Sequence, residues 1–272
     1  MAREEQLRWE ARFAKPAAVA AFLSASFAAV SIGLRVSAGS SPDGDAEALR
    51  RVDEHQPELL GSLAAQGVAL ILMAYALYYL LRATVARRPE VPRVILPLVL
   101  LAPVLLIVGG FISQTAVADI ADEFLASGPQ TDRRAEDLLE DGSIVGQAIG
   151  SGGTLCLALS LVFVSLNAMR VGLLSRFMGV LGILVGALLV LPLIPGGQVI
   201  VQVFWVAALG ALFLGRWPGG RGPAWETGEA EPWPSAAEER AKAMEQVEPP
   251  QPSDAQPDET PRPARRKRKK RR

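Results

Sequence analysis

The sequence predicts an all-α protein: a polytopic membrane helix bundle of six transmembrane helices with a disordered C-terminal tail. Three observations carry that expectation. Hydrophobic residues make up 50% of the 272-residue chain and run together, giving a mean hydropathy of +0.25. Charge is confined to the ends and a few intervening stretches, the pattern of a chain whose solvent changes along its length. Composition then shifts abruptly after residue 217, where proline, glycine and acid replace aliphatic side chains.

Crossing about 30 Å of hydrocarbon takes about 20 helical residues. Six apolar runs qualify, at residues 16–34, 60–81, 94–112, 144–168, 173–194 and 199–214. This divides the chain into an N-terminus (1–15), a six-helix domain (16–217) with long loops at 35–59 and 113–143, and a tail (218–272). The fourth and fifth runs are nearly continuous, broken only around Arg170 and Arg176. A charge is costly at the bilayer centre but can reach the interface from a helix end. The two arginines therefore bracket a tight turn at one membrane face.

Basic residues assign the faces, because cytoplasmic loops are enriched in Lys and Arg. Arg3, Arg8, Arg12, Lys15, Arg82, Arg87, Arg88, Arg93, Arg170 and Arg176 fall on one side. Arg35, Arg50, Arg51, Arg133 and Arg134 fall on the other. Both termini are thus expected in the cytoplasm of a multi-pass cell-membrane protein. "VSAGS" at residues 36–40 offers a cleavage pattern that would make the first run a signal peptide. Its apolar stretch, about 18 residues, exceeds the roughly 7–15 usual for such a leader. Arg35 just before the site also favours retention.

The two long loops carry the acids. Asp43, Asp45, Glu47, Asp53, Glu54 and Glu58 lie in the first, and Asp119, Asp122, Glu123, Asp132, Glu136, Asp137, Glu140 and Asp141 in the second. Ala46, Leu49 and Val52, and separately Val117, Ile120 and Phe124, recur at helical spacing. Two short amphipathic helices could pack there as a small cap. The acids read either as solvated faces or as a cation-attracting funnel, and neither loop matches a calcium-loop spacing. His55, the only histidine, lacks evident co-ligands. No metal or cofactor is expected.

Inside the predicted spans no Asp, Glu, Lys, Arg or His lies centrally, although ion-coupled transporters and proton relays usually place such groups there. Neither HExxH nor GxSxG occurs, and the single cysteine, Cys156, permits no intrachain disulfide. No catalytic residue is assigned. Small residues remain: Gly146 and Gly150 form one GxxxG step, Gly182 and Gly186 another, preceded by Gly179. Such ridges let helices approach closely, within the bundle or across a homodimer. Gln147, Thr154 and Asn167 could line a polar pathway or serve as hydrogen-bonding glue.

The turn "VGLLSRFMGVLGILVGAL" carries a resemblance. Gly172, Leu173, Leu174, Arg176, Phe177, Gly179 and Gly182 resemble a motif of a widespread bacterial, notably actinobacterial, integral-membrane family of unknown function. The resemblance spans about residues 10–215 and implies a short multi-helix membrane protein. It implies no catalytic or binding residue.

The tail ends in eight consecutive basic residues: Arg265, Arg266, Lys267, Arg268, Lys269, Lys270, Arg271 and Arg272. Near an anionic leaflet each contributes about 1 kcal/mol, so anionic lipid headgroups are the expected partner. Nucleic acid would attract the same charge. No interleaved aromatic offers stacking, however, and nothing there reads bases. The leading functional expectation is a non-enzymatic membrane scaffold or regulatory protein. The alternative is a carrier or binding protein for a small apolar molecule or lipid.

Overall fold

The computed structural model describes residues 3–39, 44–142, 144–191, 197–218 and 220–233. Among them nine helices follow one another and no strand occurs. Four are long and apolar enough to cross a membrane: α1 (Arg3–Ser37), α3 (Gln56–Arg87), α4 (Ile95–Ala126) and α6 (Ile144–Arg170). Two shorter apolar helices follow, α7 (Arg176–Val190) and α8 (Gly197–Phe213). The remainder are α2 (Asp45–Glu54), α5 (Asp132–Gly142) and the single turn α9 (Ala224–Thr227).

The long helices overrun their predicted spans. At 1.5 Å per residue the 32 residues of α4 extend about 48 Å, well beyond the hydrocarbon thickness. The surplus of α3 and α4 supports a cap at one end. There α2 and α5 pack on the far half of α4, and Ala46, Leu49, Ile120, Ala121, Phe124 and Ala135 form a core of their own, with Val52 and Val117 against it. The helical spacings of both loops thus meet in one cluster, but Val117, Ile120 and Phe124 belong to α4 itself, not to a separate helix.

The long helices and their shorter partners form a ring. Each of α1, α3, α4, α6, α7 and α8 packs on the next, and α8 returns to α1. Large aliphatic side chains, among them Val19, Val30, Leu100, Val104, Leu159 and Ile200, remain exposed on its outer surface. An apolar exterior of this extent is what a lipid-facing bundle presents.

Two features differ from the sequence-based expectation. Among the described residues of the fifth predicted span (173–194), 173–191, helix covers only the 15 residues of α7, about 22 Å long. Leu173 and Leu174 are fully buried in the turn, which Gly172 enters with a φ of 79° and Ser175 leaves by capping Met178 N–H. Apolar residues here fill a buried turn, which a count of hydrophobic residues cannot tell from a helix end. The second difference lies past residue 218. Residues 220–233, expected to begin the tail, fold back as a strap over the end opposite the cap. Trp225 anchors this strap, 5% exposed, inside the main core. Residues 234–272, including the basic cluster 265–272, lie outside the described residues.

Candidate functional site

Toward the cap end the ring does not close on itself. A lobe of about 450 Å³ lies between the helices, lined from every member of the ring: Ser31 and Arg35 of α1, Gln66 and Leu70 of α3, Leu106 of α4, Thr154 and Leu157 of α6, Leu189 of α7, and Gln198 and Gln202 of α8. A second lobe of about 420 Å³ sits beneath the cap, between α2 and the ends of α1, α3 and α4. The two adjoin, with Arg35, Leu63 and Gly110 lining both, and are together termed the two-lobed chamber. Each lobe has the size of an ordinary small-molecule site.

Close backbone approach shapes the wall of this chamber. A Cβ on Gly109 would stand 2.5 Å from the Gly150 nitrogen, and one on Gly146 2.6 Å from the Ser113 nitrogen. A Cβ on Gly153 would stand 2.8 Å from the Leu106 nitrogen. These glycines draw α4 and α6 together by the small-residue packing that membrane helices use.

The lining is mixed in polarity and, among the described residues, carries no carboxylate. Arg35 Nε donates to Ser62 Oγ at 3.0 Å, and an Arg51 guanidinium N–H donates to the Arg35 carbonyl at 2.9 Å. Thr154 donates to the Gly150 carbonyl at 3.0 Å, and Gln202 donates to the Met73 sulfur at 3.5 Å. Among the described residues, Gln114 Nε2 and Gln198 Oε1 are buried without a hydrogen-bond partner. A buried amide left so costs about 1–3 kcal/mol, which a bound polar group would recover.

At the opposite end the strap packs into the main core, beside a smaller cavity of about 220 Å³ lined by Trp9, Phe13, Tyr75, Tyr78, Tyr79 and Arg82. Tyr79 stacks on Trp225 at 5.8 Å and meets Phe213 edge-on at 4.9 Å. Arg87, fully buried, clamps the Glu10 carboxylate with 2.5 and 2.9 Å contacts and also donates to the Ala224 carbonyl. Gln6 donates to the same carboxylate, and Tyr79 O–H to the Glu10 carbonyl. Arg3 and Glu229 form a further ion pair between α1 and the strap.

No family model, curated protein or solved structure matches the chain. The site is accordingly read from its own geometry.

The structure disperses the residues singled out in the sequence. Thr154 lines the chamber. Gln147 lies at the cap end of α6, exposed, while Asn167 is buried near its other end and donates to the Phe163 carbonyl. Twenty residues of helix separate those two by about 30 Å, and of the three Thr154 is the one that lines the chamber. Gly146 faces α4; Gly179 faces Met169, Gly182 faces Trp205 and Gly186 faces α6. Gly150 lies so close to Gly109 that α4 cannot carry a side chain there. Within this chain these glycines pack helix on helix.

Sequence reasoning passed over Arg35, Gln198, Gly109, Gly153 and the Glu10–Arg87 pair. Arg35 counted only as an outer charge, although it stands one helical turn from Ser31. The pair was overlooked because Glu10 and Arg87 lie outside the apolar runs and are 77 residues apart.

Proposed function

We propose that the protein is a non-enzymatic, multi-pass membrane protein that binds a small apolar molecule or lipid in the two-lobed chamber. One observation carries this reading: all six ring helices line a cavity of about 450 Å³ toward the cap end. A bundle serving only as a scaffold has no reason to leave its centre unfilled, since packing to interior density is the stable outcome. In this reading α7 and α8 complete six crossings of the cell membrane, and both termini, with the strap, face the cytoplasm. The excess of Lys and Arg at that end supports the orientation. The basic cluster of residues 265–272 then lies near the anionic inner leaflet.

The test is native mass spectrometry of the full-length protein released gently from its own membrane. A small molecule or single lipid species held at fixed stoichiometry supports the binding role, and filling the chamber by Leu70→Trp should abolish it. A bare chain, or one retaining only another protein, would return the scaffold reading to first place.

A further inference from the structure

The chamber's charge runs against that of its surroundings. Acids crowd the cap, yet among the described residues neither lobe is lined by Asp or Glu, and the charged side chains that line it are Arg35 and Arg51. Arg35 belongs to both lobes, is exposed, and is steadied by Ser62 through Nε alone. Among the described residues no carboxylate stands within ion-pair distance of it. Its two terminal nitrogens form the planar fork that matches carboxylate and phosphate oxygens. Arg51, bonded to the Arg35 backbone, brings a second positive charge to the lobe under the cap.

Below Arg35 the lining is uncharged: Leu63, Leu70, Leu106, Leu157, Leu189 and Val199 alternate with the neutral polar Gln66, Thr154, Gln198 and Gln202. Leu70 lies two helical turns beyond Leu63 on α3, about 10 Å deeper. A charged end above an uncharged, partly aliphatic slot is complementary to a molecule with one anionic head and one alkyl chain. The lobes are small-molecule in size, which suits a single chain and not a complete two-chain phospholipid. The unpartnered Gln114 N–H and Gln198 carbonyl add a donor in one lobe and an acceptor in the other.

Resting on the binding role proposed above, we infer that the chamber takes a single-chain anionic amphiphile, its carboxylate or phosphate head on the Arg35 guanidinium and its alkyl chain between α3, α4 and α6. Binding of oleate, of lysophosphatidate with the same chain, and of uncharged oleyl alcohol to the full-length protein in nonionic detergent tests this. Wild-type protein should bind one oleate per chain, about tenfold or more tighter than oleyl alcohol, as a charge-assisted hydrogen bond worth about 1.5–3 kcal/mol requires. Arg35→Gln should erase that preference and leave oleyl alcohol binding unchanged, while Arg35→Lys keeps part of it. Tighter lysophosphatidate than oleate assigns the head as phosphate, the reverse as carboxylate, and both support the inference. If oleyl alcohol binds saturably and as tightly as oleate to the wild type, the anionic-head inference is overturned while the binding role stands. That comparison needs no variant to fold. If none of the three probes binds saturably, the binding role itself falls.

Discussion

The indole N–H of Trp225 donates to the Leu173 carbonyl across 2.9 Å. A residue of the strap thereby satisfies a backbone acceptor in the turn between α6 and α7. The Glu231 N–H does the same for Val171. Two arginines, Arg87 and Arg221, stand 5.6 and 5.3 Å from the Trp225 ring centre, adding cation–π attraction to a stacked and buried side chain.

Trp225→Ala should therefore cost about 3–5 kcal/mol, the range for deleting a large buried aromatic. Trp225→Phe keeps an aromatic ring but loses the N–H and part of the indole volume, an intermediate loss that includes about 1 kcal/mol for the bond and the stranded Leu173 carbonyl. Thermal unfolding in detergent ranks the two. Limited proteolysis should show cleavage at residues 214–233 appearing in the alanine variant first.

Glu10 and Arg87 should behave as one unit. Removing either alone leaves a buried charge without its partner, at about 3–5 kcal/mol. The double variant Glu10→Gln/Arg87→Met should lose less than the two single losses added together. A double-mutant cycle on unfolding temperature measures the difference. Strict additivity would show the pair to be energetically independent.

Two glycines one turn apart should respond oppositely. A methyl group on Gly146 would press on the α4 backbone at Ser113, whereas one on Gly150 meets nothing within 4 Å. Gly146→Ala should destabilise by about 1–3 kcal/mol through overpacking. Gly150→Ala should be neutral or stabilise by up to about 1 kcal/mol through helix propensity. Equal effects on unfolding would contradict the α4–α6 contact.

Asp132 caps a helix that is not its own. Its carboxylate accepts from the Ala46 N–H of α2 at 3.0 Å across 86 residues of sequence. Asp132→Ala should cost about 1 kcal/mol, as for an N-cap, and speed amide exchange in α2 and α5 together. Asp132→Asn, which keeps an acceptor oxygen, should change little.

Deleting residues 265–272 should leave insertion and thermal stability intact while weakening attachment of the tail to anionic vesicles, an effect reduced by salt. A tail peptide that binds neutral and anionic vesicles equally would rule out the lipid contact.

What was legible in the sequence follows from how local each cause is. The long apolar runs of α1, α3, α4 and α6 are continuous in the chain, so length and hydropathy locate them. The faces of α2 and of the far half of α4 are equally local, written at helical spacing in Ala46, Leu49, Val52 and in Val117, Ile120, Phe124. Arg35 and Gln198 became chamber residues only through the ring, whose closure joins α8 to α1. Trp225 was hidden differently. Its neighbours are polar and rich in proline and glycine, so its segment reads as tail, and its burial depends on Tyr79, Phe213 and Leu173 from three separate elements.

The clamp at Arg87 also has a place in time. Its partners are Glu10, made 77 residues earlier, and Ala224, made 137 residues later. At about 5–20 residues per second, the second partner follows Arg87 by on the order of ten seconds. During synthesis α1 and α3 can pair at once, but the node stays unfinished until nearly all of the chain described here has been made. The strap is thus the closing step of assembly, and a chain truncated before Ala224 would carry a persistent mark of its incompleteness: a guanidinium and a row of aromatic side chains left uncovered at the membrane surface.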